Sequence, residues 1–311
     1  MTDFNQTEGD AIVSTNVNES TEVVETNNNI VIAEPESLVL TPIRQLLASN
    51  APVRTDGFLT YPSPRDMFNQ MAIRFQAEGL DLDELPCEVK MKAHKTSMVG
   101  DNNEMVQVYD RYSMQFTLPQ SYDVTVNGDR HSSVIGLVAA MDTDKPYVKF
   151  YQGNQNQGNG VNCCLNMSVF SATQIEELSL ATPGFFERFN VIGRFFERIE
   201  ENNREMVRIL TEWDSVTYEG DQLNMVLGQL MRKIKSNRFS LITHLNTMVS
   251  LLESPLPLKV GNETFVNFFY NEDKRYTRHQ LYQMMTVGTT RGTVGSDSIG
   301  NTLQAAQLFM N

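Results

Sequence analysis

SYDVTVNGDRHSSVIGLVAAMDTDKPYVKFYQG, residues 121–153, decides the fold. SYDVTV and SVIGLVAAM flank Asn127-Gly128, and Asn-Gly between two apolar runs is a strong short-range hairpin signal. DTDKP turns the chain again, and YVKFYQG returns. The period-two pattern continues on both sides. Upstream, Cys87, Val89, Met91 and Ala93 alternate with Glu88, Lys90, Lys92 and His94, which describes a half-buried strand. Tyr112, Met114, Phe116 and Leu118 alternate with Ser113, Gln115 and Thr117. Downstream, an amide-and-glycine loop (151–160) runs into VNCCLNMSVF, which closes the set. Residues 86–170 are therefore expected to form a strongly curved antiparallel sheet of about five to seven strands.

Helical spacing brackets this region. In SPRDMFNQMAIRFQAEG, Ser63 suits an N-cap and Pro64 the first helical position. Met67, Phe68, Met71, Ala72 and Phe75 share one face, and Gly79 is a stop. After Thr182-Pro183 the chain turns helical. Phe185, Phe189, Ile192, Phe196, Ile199, Met206, Val207 and Leu210 form one stripe, with Phe195 and Trp213 at its edge. This predicts one helix of about 30 residues, roughly 45 Å long. Helices at 220–237 and 239–253, a short strand or helix start at ETFVNFFY, a helix capped by Thr277, a Gly/Thr/Ser loop at 288–300 and a last helix TLQAAQLFM follow. The expected fold class is α+β: an acidic arm without order at 1–36, an antiparallel sheet region with an N-terminal helix at 37–180, and a helical region at 181–311.

The chain of 311 residues has a formal net charge of −13. Residues 1–40 hold eight acids and no Lys or Arg, while residues 41–311 hold 30 acids and 25 bases. Bulk charge of this kind does not suit a protein that coats nucleic acid, though a local basic patch would. Three cysteines are too few for a disulfide framework. No apolar run is long enough to span a membrane, and MTDFNQTEGD lacks the form of a signal peptide. The expected setting is a reducing compartment.

Four features could carry chemistry, and each has a plainer reading. Cys163-Cys164 is read first as strand core. A nucleophile would need a base among His94, His131, His244 and His279, and zinc would need repeated Cys or His spacing. Arg232, Lys233, Lys235 and Arg238 form one basic cluster, and Lys274, Arg275, Tyr276 and Arg278, with His279 beside them, form a second. Cations interleaved with aromatics suit phosphate contact and base stacking, while cations at a helix C-terminus also simply match the dipole. GTTRGTVGSDSIG could cradle a phosphate but lacks a P-loop's spacing, so it is read as loop. Asp129, Asp142 and Asp144 could meet a cation but suit turns equally. No catalytic residue, metal ligand or cofactor site is assigned.

The runs SSVIGLVAAMDTDKPYVKFYQG and VNCCLNM resemble the phage/plasmid-like family of domain-of-unknown-function proteins. In that resemblance MDTDKP, with Asp144, takes the place of the family's inter-strand turn, and Cys164-Leu165-Asn166-Met167 that of its cysteine motif. MQFTLPQSYDV and RHQLYQMMTVGTTRG are similar to its flanking segments, so the likeness runs over about 60–300. The family turn is not intact, and 151–160 reads as an insertion. The resemblance implies a bacteriophage or mobile-element protein of sheet plus helices, and supplies no catalytic residues. The resulting expectation is a non-enzymatic protein of the host cytoplasm, virion-associated in one version, that acts by binding. It would serve phage DNA metabolism by contacting single-stranded DNA or RNA, or else bind a phage or host protein, with no membrane contact and with a homo-oligomer through the helical half.

Overall fold

A computed structural model describes residues 55–56, 59–60, 63–93, 98–99, 105–106, 109–140, 147–171, 184–237, 241–260, 263–291 and 298–310. The arm at 1–36, the segment 37–50, the Thr182-Pro183 cap, His94, Asp142, Asp144 and Arg238 lie outside the described residues.

The sheet is antiparallel, curled into half a barrel, and six-stranded: β1 (Cys87–Ala93), β2 (Tyr109–Thr117), β3 (Val124–Val126), β4 (Asp129–Ala140), β5 (Tyr147–Asn156) and β6 (Asn162–Ser171). Its order is β6-β5-β4-β2-β1, with β3 added to the free end of β4. Asn127 and Gly128 make the expected tight turn, with φ of 49° and 94°. Both values are the positive ones a twist-matched two-residue hairpin requires. A bulge between Cys163 and Asn166 shifts the β5–β6 register at the cysteine pair, so strict strand alternation does not carry through it.

Gly136 shows how closely the centre of the sheet is packed. A Cβ there would lie 2.5 Å from the Met114 carbonyl oxygen and 2.6 Å from the Tyr151 hydroxyl. The Tyr151 ring lies across the glycine, and its hydroxyl donates to Gln115 Oε1 at 3.0 Å.

Helix α1 (Pro64–Ala77) begins with the predicted Ser63 cap, completed as a capping box by Asp66. The long helix α2 (Asn190–Asp214) has 25 residues, about 37 Å, and not 30. A tighter 3-10 turn, Phe186–Phe189, precedes it and brings Phe185 and Phe189 to the core ahead of the helix proper. The remaining helices are α3 (Gly220–Ser236), α4 (Ile242–Glu253), α5 (Arg278–Arg291) and α6 (Ser298–Met310). Two-residue strands β7 (Thr217–Tyr218) and β10 (Tyr276–Thr277) pair with each other, and β8 (Leu258–Val260) pairs with β9 (Glu263–Phe265). Helix α5 runs to Arg291, so Gly288 and Thr289 are helical and not part of a loop. Glycine is required there because His244 Nδ1 of α4 would sit 2.5 Å from a Cβ at 288. Beside it Thr289 and Thr302 share a hydrogen bond of 2.6 Å that joins α5 to α6.

Two large hydrophobic cores result, beside a small third cluster of Val134, Val138, Tyr151 and Ile299. The first lies between the sheet and the α1 and α2 starts, around Phe75, Phe116, Leu137 and Phe196. The second gathers the α2 end with α3–α6 around Trp213, Leu245, Tyr282 and Phe309. On α2 the division falls at Asn202-Asn203. Asn203 Nδ2 donates to Ser133 Oγ at 3.0 Å and to the Tyr122 carbonyl at 3.1 Å, and Asn202 Nδ2 donates to Gln152 Oε1 at 2.9 Å. Asn154 Nδ2 closes the belt on Ser133 and Asn203, both at 3.2 Å. Buried amides are tolerated because they satisfy one another, and the pairing fixes the register of α2 on the sheet.

Candidate functional site

A largely buried group of titratable side chains lies where the β3–β4 hairpin, the α2 end and the α5 start meet. Asp214 Oδ2 accepts from His279 Nδ1 at 3.0 Å and from Asn127 Nδ2 at 2.6 Å, and Asp214 Oδ1 accepts from Thr277 Oγ1 at 2.9 Å. Burial pushes the Asp214 carboxyl up, but these donors outweigh it and hold it below the ordinary carboxylate value. The His131 ring stacks near the His279 ring, with centroids 6.2 Å apart. His131 is 1% exposed, and neither ring nitrogen has a partner among the described residues. Burial, then the neighbouring His279, brings the His131 imidazole down to about 4 against the opposing pull of Asp129 and Asp214, so it is neutral at pH 7.

A carboxylate-oriented histidine is a general-base arrangement in principle. Here it is enclosed by the groups it ties together. Among the described residues no group of three or more His, Cys, Asp or Glu could hold a metal ion. Cys163 is buried, and burial pushes its thiol up to about 12 against a bond from Tyr282. Cys87 is raised further, by burial and then by Glu88. Neither thiol is a ready thiolate at neutral pH, so a cysteine nucleophile gains no support from these two residues. Asp129, offered as a cation ligand, lies 3.4 Å from the Asn156 amide at the hairpin, as a turn residue does.

The basic clusters do not meet. Arg275 reaches Glu219, the residue before α3, at 3.9 Å, and Arg278 Nε donates to Tyr218 Oη at 3.0 Å. Arg232 and Lys235 sit at the far end of α3, about 20 Å along its axis. Lys274 Nζ donates to the Leu252 carbonyl at 2.6 Å, and Lys233 Nζ to the Leu308 carbonyl at 3.3 Å. These lysines serve helix C-termini, where cations match the dipole. Tyr276 is a correction: it is 1% exposed within the second core and lies against Asn271, so it cannot stack on a base. Arg232 and Lys235 are the exposed cations of the first cluster among the described residues.

A shallow groove of about 390 Å³ follows the outer side of α2, lined by Arg198, Glu201, Asn202, Arg204, Glu205 and Arg208. Its charges are mixed and paired, with Arg208 on Glu205 at 2.7 Å and Arg198 on Glu201 at 3.2 Å, so it favours no ion.

Sequence reasoning missed a surface at the end of α4. Leu256, Val266 and Phe268 are 70%, 53% and 65% exposed. Asn267 pins them together: its Nδ2 donates to the Leu251 carbonyl at 2.8 Å and to the Ser254 carbonyl at 2.6 Å, both at the α4 terminus. Phe265 backs the tip, with Phe268 edge-on at 6.1 Å and Phe269 stacked at 6.1 Å. The apolar run FVNFF was the available signal, since it holds more large apolar side chains than a short strand can bury on one face.

Comparisons with family models, with curated proteins and with solved structures found no match to this chain. Among the described residues no helix is long and apolar enough to cross a membrane.

Proposed function

We propose that this protein works by binding another protein, and that the tip formed by Leu256, Val266 and Phe268 is the docking surface. The observation that carries the reading is the tip itself. Three large apolar side chains stand in solvent on a support that Asn267 and Phe265 make rigid. Exposed apolar clusters on a fixed backbone mark interaction sites, because the cost of ordering them is already met before the partner arrives. Aromatic anchors such as Phe268 supply much of an interface's energy.

The bacteriophage or mobile-element setting is proposed with it, on the motifs at 132–167. In that setting the protein is a virion component or acts on a host factor. Contact with DNA or RNA is the second reading, favoured by the exposure of Arg232 and Lys235. It has the weaker support, since the two basic clusters lie at opposite ends of α3.

Photo-crosslinking tests the first reading. A photoreactive residue at 268, and as control at Glu201 on the outer side of α2, is activated in extracts of expressing cells. Discrete protein adducts from 268 and none from 201 are expected. Equal, diffuse labelling from both would overturn it. Anisotropy titrations with single-stranded DNA, low salt against moderate salt, test the second: binding lost on reversing Arg232 and Lys235 would sustain it.

A further inference from the structure

Asparagine precedes glycine at two places in the chain, Asn127-Gly128 and Asn159-Gly160. This dipeptide is chemically labile. A glycine nitrogen, unhindered by a side chain of its own, can attack Cγ of the asparagine before it. A Gly N–Asn Cγ bond forms, the Cγ–Nδ2 bond breaks, and Nδ2 leaves as ammonia with the proton given up by the glycine nitrogen. Water then opens the cyclic imide to aspartate or isoaspartate.

The fold treats the two pairs differently. At the second, Gly160 N donates to the Asn156 carbonyl at 2.8 Å, so the attacking atom is engaged. Asn159 Oδ1 accepts from Val161 N at 2.9 Å, and Asn159 Nδ2 lies 3.5 Å from Gln283 Oε1. At the first pair both residues are exposed at the tip of the β3–β4 hairpin. Gly128 N makes no backbone hydrogen bond among the described residues, and nothing beyond its chain neighbours lies within 4 Å of where its Cβ would stand. Asn127 is held through its departing atom, by the 2.6 Å bond from Nδ2 to Asp214 Oδ2.

We propose that Asn127 is a site of spontaneous deamidation, and that its conversion releases the β3–β4 hairpin from Asp214. The product reverses the contact. An amide that donates to the Asp214 carboxylate becomes a second carboxylate beside it, so the donor is lost and like charges meet. Isoaspartate also adds a methylene to the backbone of a two-residue turn. That turn fixes the pairing of Val126 with Asp129, and it has no slack to absorb the extra atom. Asp214 still holds Thr277 and His279, so the change is confined at first to the joint between the hairpin and the end of α2. It needs no partner and no reagent but water, and it runs one way.

Ageing of the full chain at mildly alkaline pH tests this, folded and in urea, with peptide mass analysis locating each amide-to-acid exchange. The folded chain is expected to convert Asn127 several times faster than Asn159. In urea the two rates should come close together, because the same residue follows each asparagine. Equal rates in the folded chain, or faster conversion of Asn159, would overturn the assignment. Anion exchange then separates the more acidic aged fraction. Its urea midpoint, followed by Trp213 fluorescence, should lie below that of fresh protein, and Asn127→Asp should reproduce part of the fall. Asn127→Gln, whose longer side chain cyclises far more slowly, should show no such decline with age. An aged fraction that unfolds at the fresh midpoint, or an Asn127→Gln variant that declines as the wild type does, would overturn the release of the hairpin.

Discussion

His279 Nδ1 donates to Asp214 Oδ2 across 3.0 Å, and this bond ties the α5 start to the α2 end. Asn127 and Thr277 share the same carboxylate, so one side chain joins the sheet hairpin, α2, β10 and α5. Replacing it strands three donors. Asp214→Ala is expected to lower stability by about 2–3 kcal/mol, within the range for orphaned, partly buried polar groups. Urea unfolding followed by Trp213 fluorescence measures it, and Asp214→Asn should recover part of the loss. Equal midpoints for wild type and Asp214→Ala would show that the clamp carries no weight.

His131 makes stability depend on pH. Its folded-state value of about 4 lies below the ordinary 6.5. The unfolded chain therefore takes up a proton that the folded chain refuses. This contribution is intact above about pH 6.5, is lost as pH falls from there to about 4, and does not change further below. At about 1.4 kcal/mol per pH unit, the loss between pH 7 and pH 4.5 is about 2–3 kcal/mol. His244, lowered by burial, adds in the same direction over a window that opens at the same pH. Asp214, held below its ordinary 3.8, acts in a separate window beneath about pH 4. Removing the titrating ring in His131→Leu should flatten the curve between pH 6.5 and 4 while leaving the steep fall below it. An unchanged slope in that window would exclude His131 as its source.

What the sequence made legible depended on whether a pattern was local. Period two in Cys87–Ala93, the Asn127-Gly128 turn and the Ser63 cap each depend on neighbours within a few residues, and each is present in the structure. Helix α5 shows the limit. Residues 281–289 are all buried, so no polar face alternates with an apolar one, and Gln283, Thr286 and Thr289 look like surface residues when they are interior. Tyr276 and Lys274 misled for a related reason: a basic-aromatic run reads the same whether its cations meet solvent or a helix's last carbonyls. The Asp214 clamp was not readable at all, because Asn127 and His279 lie 87 and 65 residues from it in the chain.

Cys163 provides a direct check on reactivity. Its thiol is buried, pushed up to about 12, and close to Tyr282. Iodoacetamide at pH 8, with the modified cysteine located by peptide mass analysis, should leave Cys163 unmodified in the native protein and label it in urea. Labelling of Cys163 in the folded state at a rate near that of a free peptide thiol would reopen the case for a reactive cysteine.

The contact between Gly288 and His244 predicts a non-additive pair. A methyl group at 288 would have to occupy the place of His244 Nδ1, 2.5 Å from the added carbon. His244 is half-buried, with its Nδ1 enclosed against α5 and Asn301 Nδ2 of α6 3.4 Å from its Nε2. Gly288→Ala should therefore cost about 1–3 kcal/mol through overpacking, despite alanine's better helix propensity. His244→Ala alone should also destabilise, by leaving a cavity between α4 and α5. Combined, the two changes should cost clearly less than the sum of the single effects, because the new methyl then enters the space the imidazole has left. A double-mutant cycle by urea unfolding gives the coupling energy. A value of about zero would mean that α5 shifts along α4 to accept the methyl group, and that the glycine is not what sets the spacing of these helices.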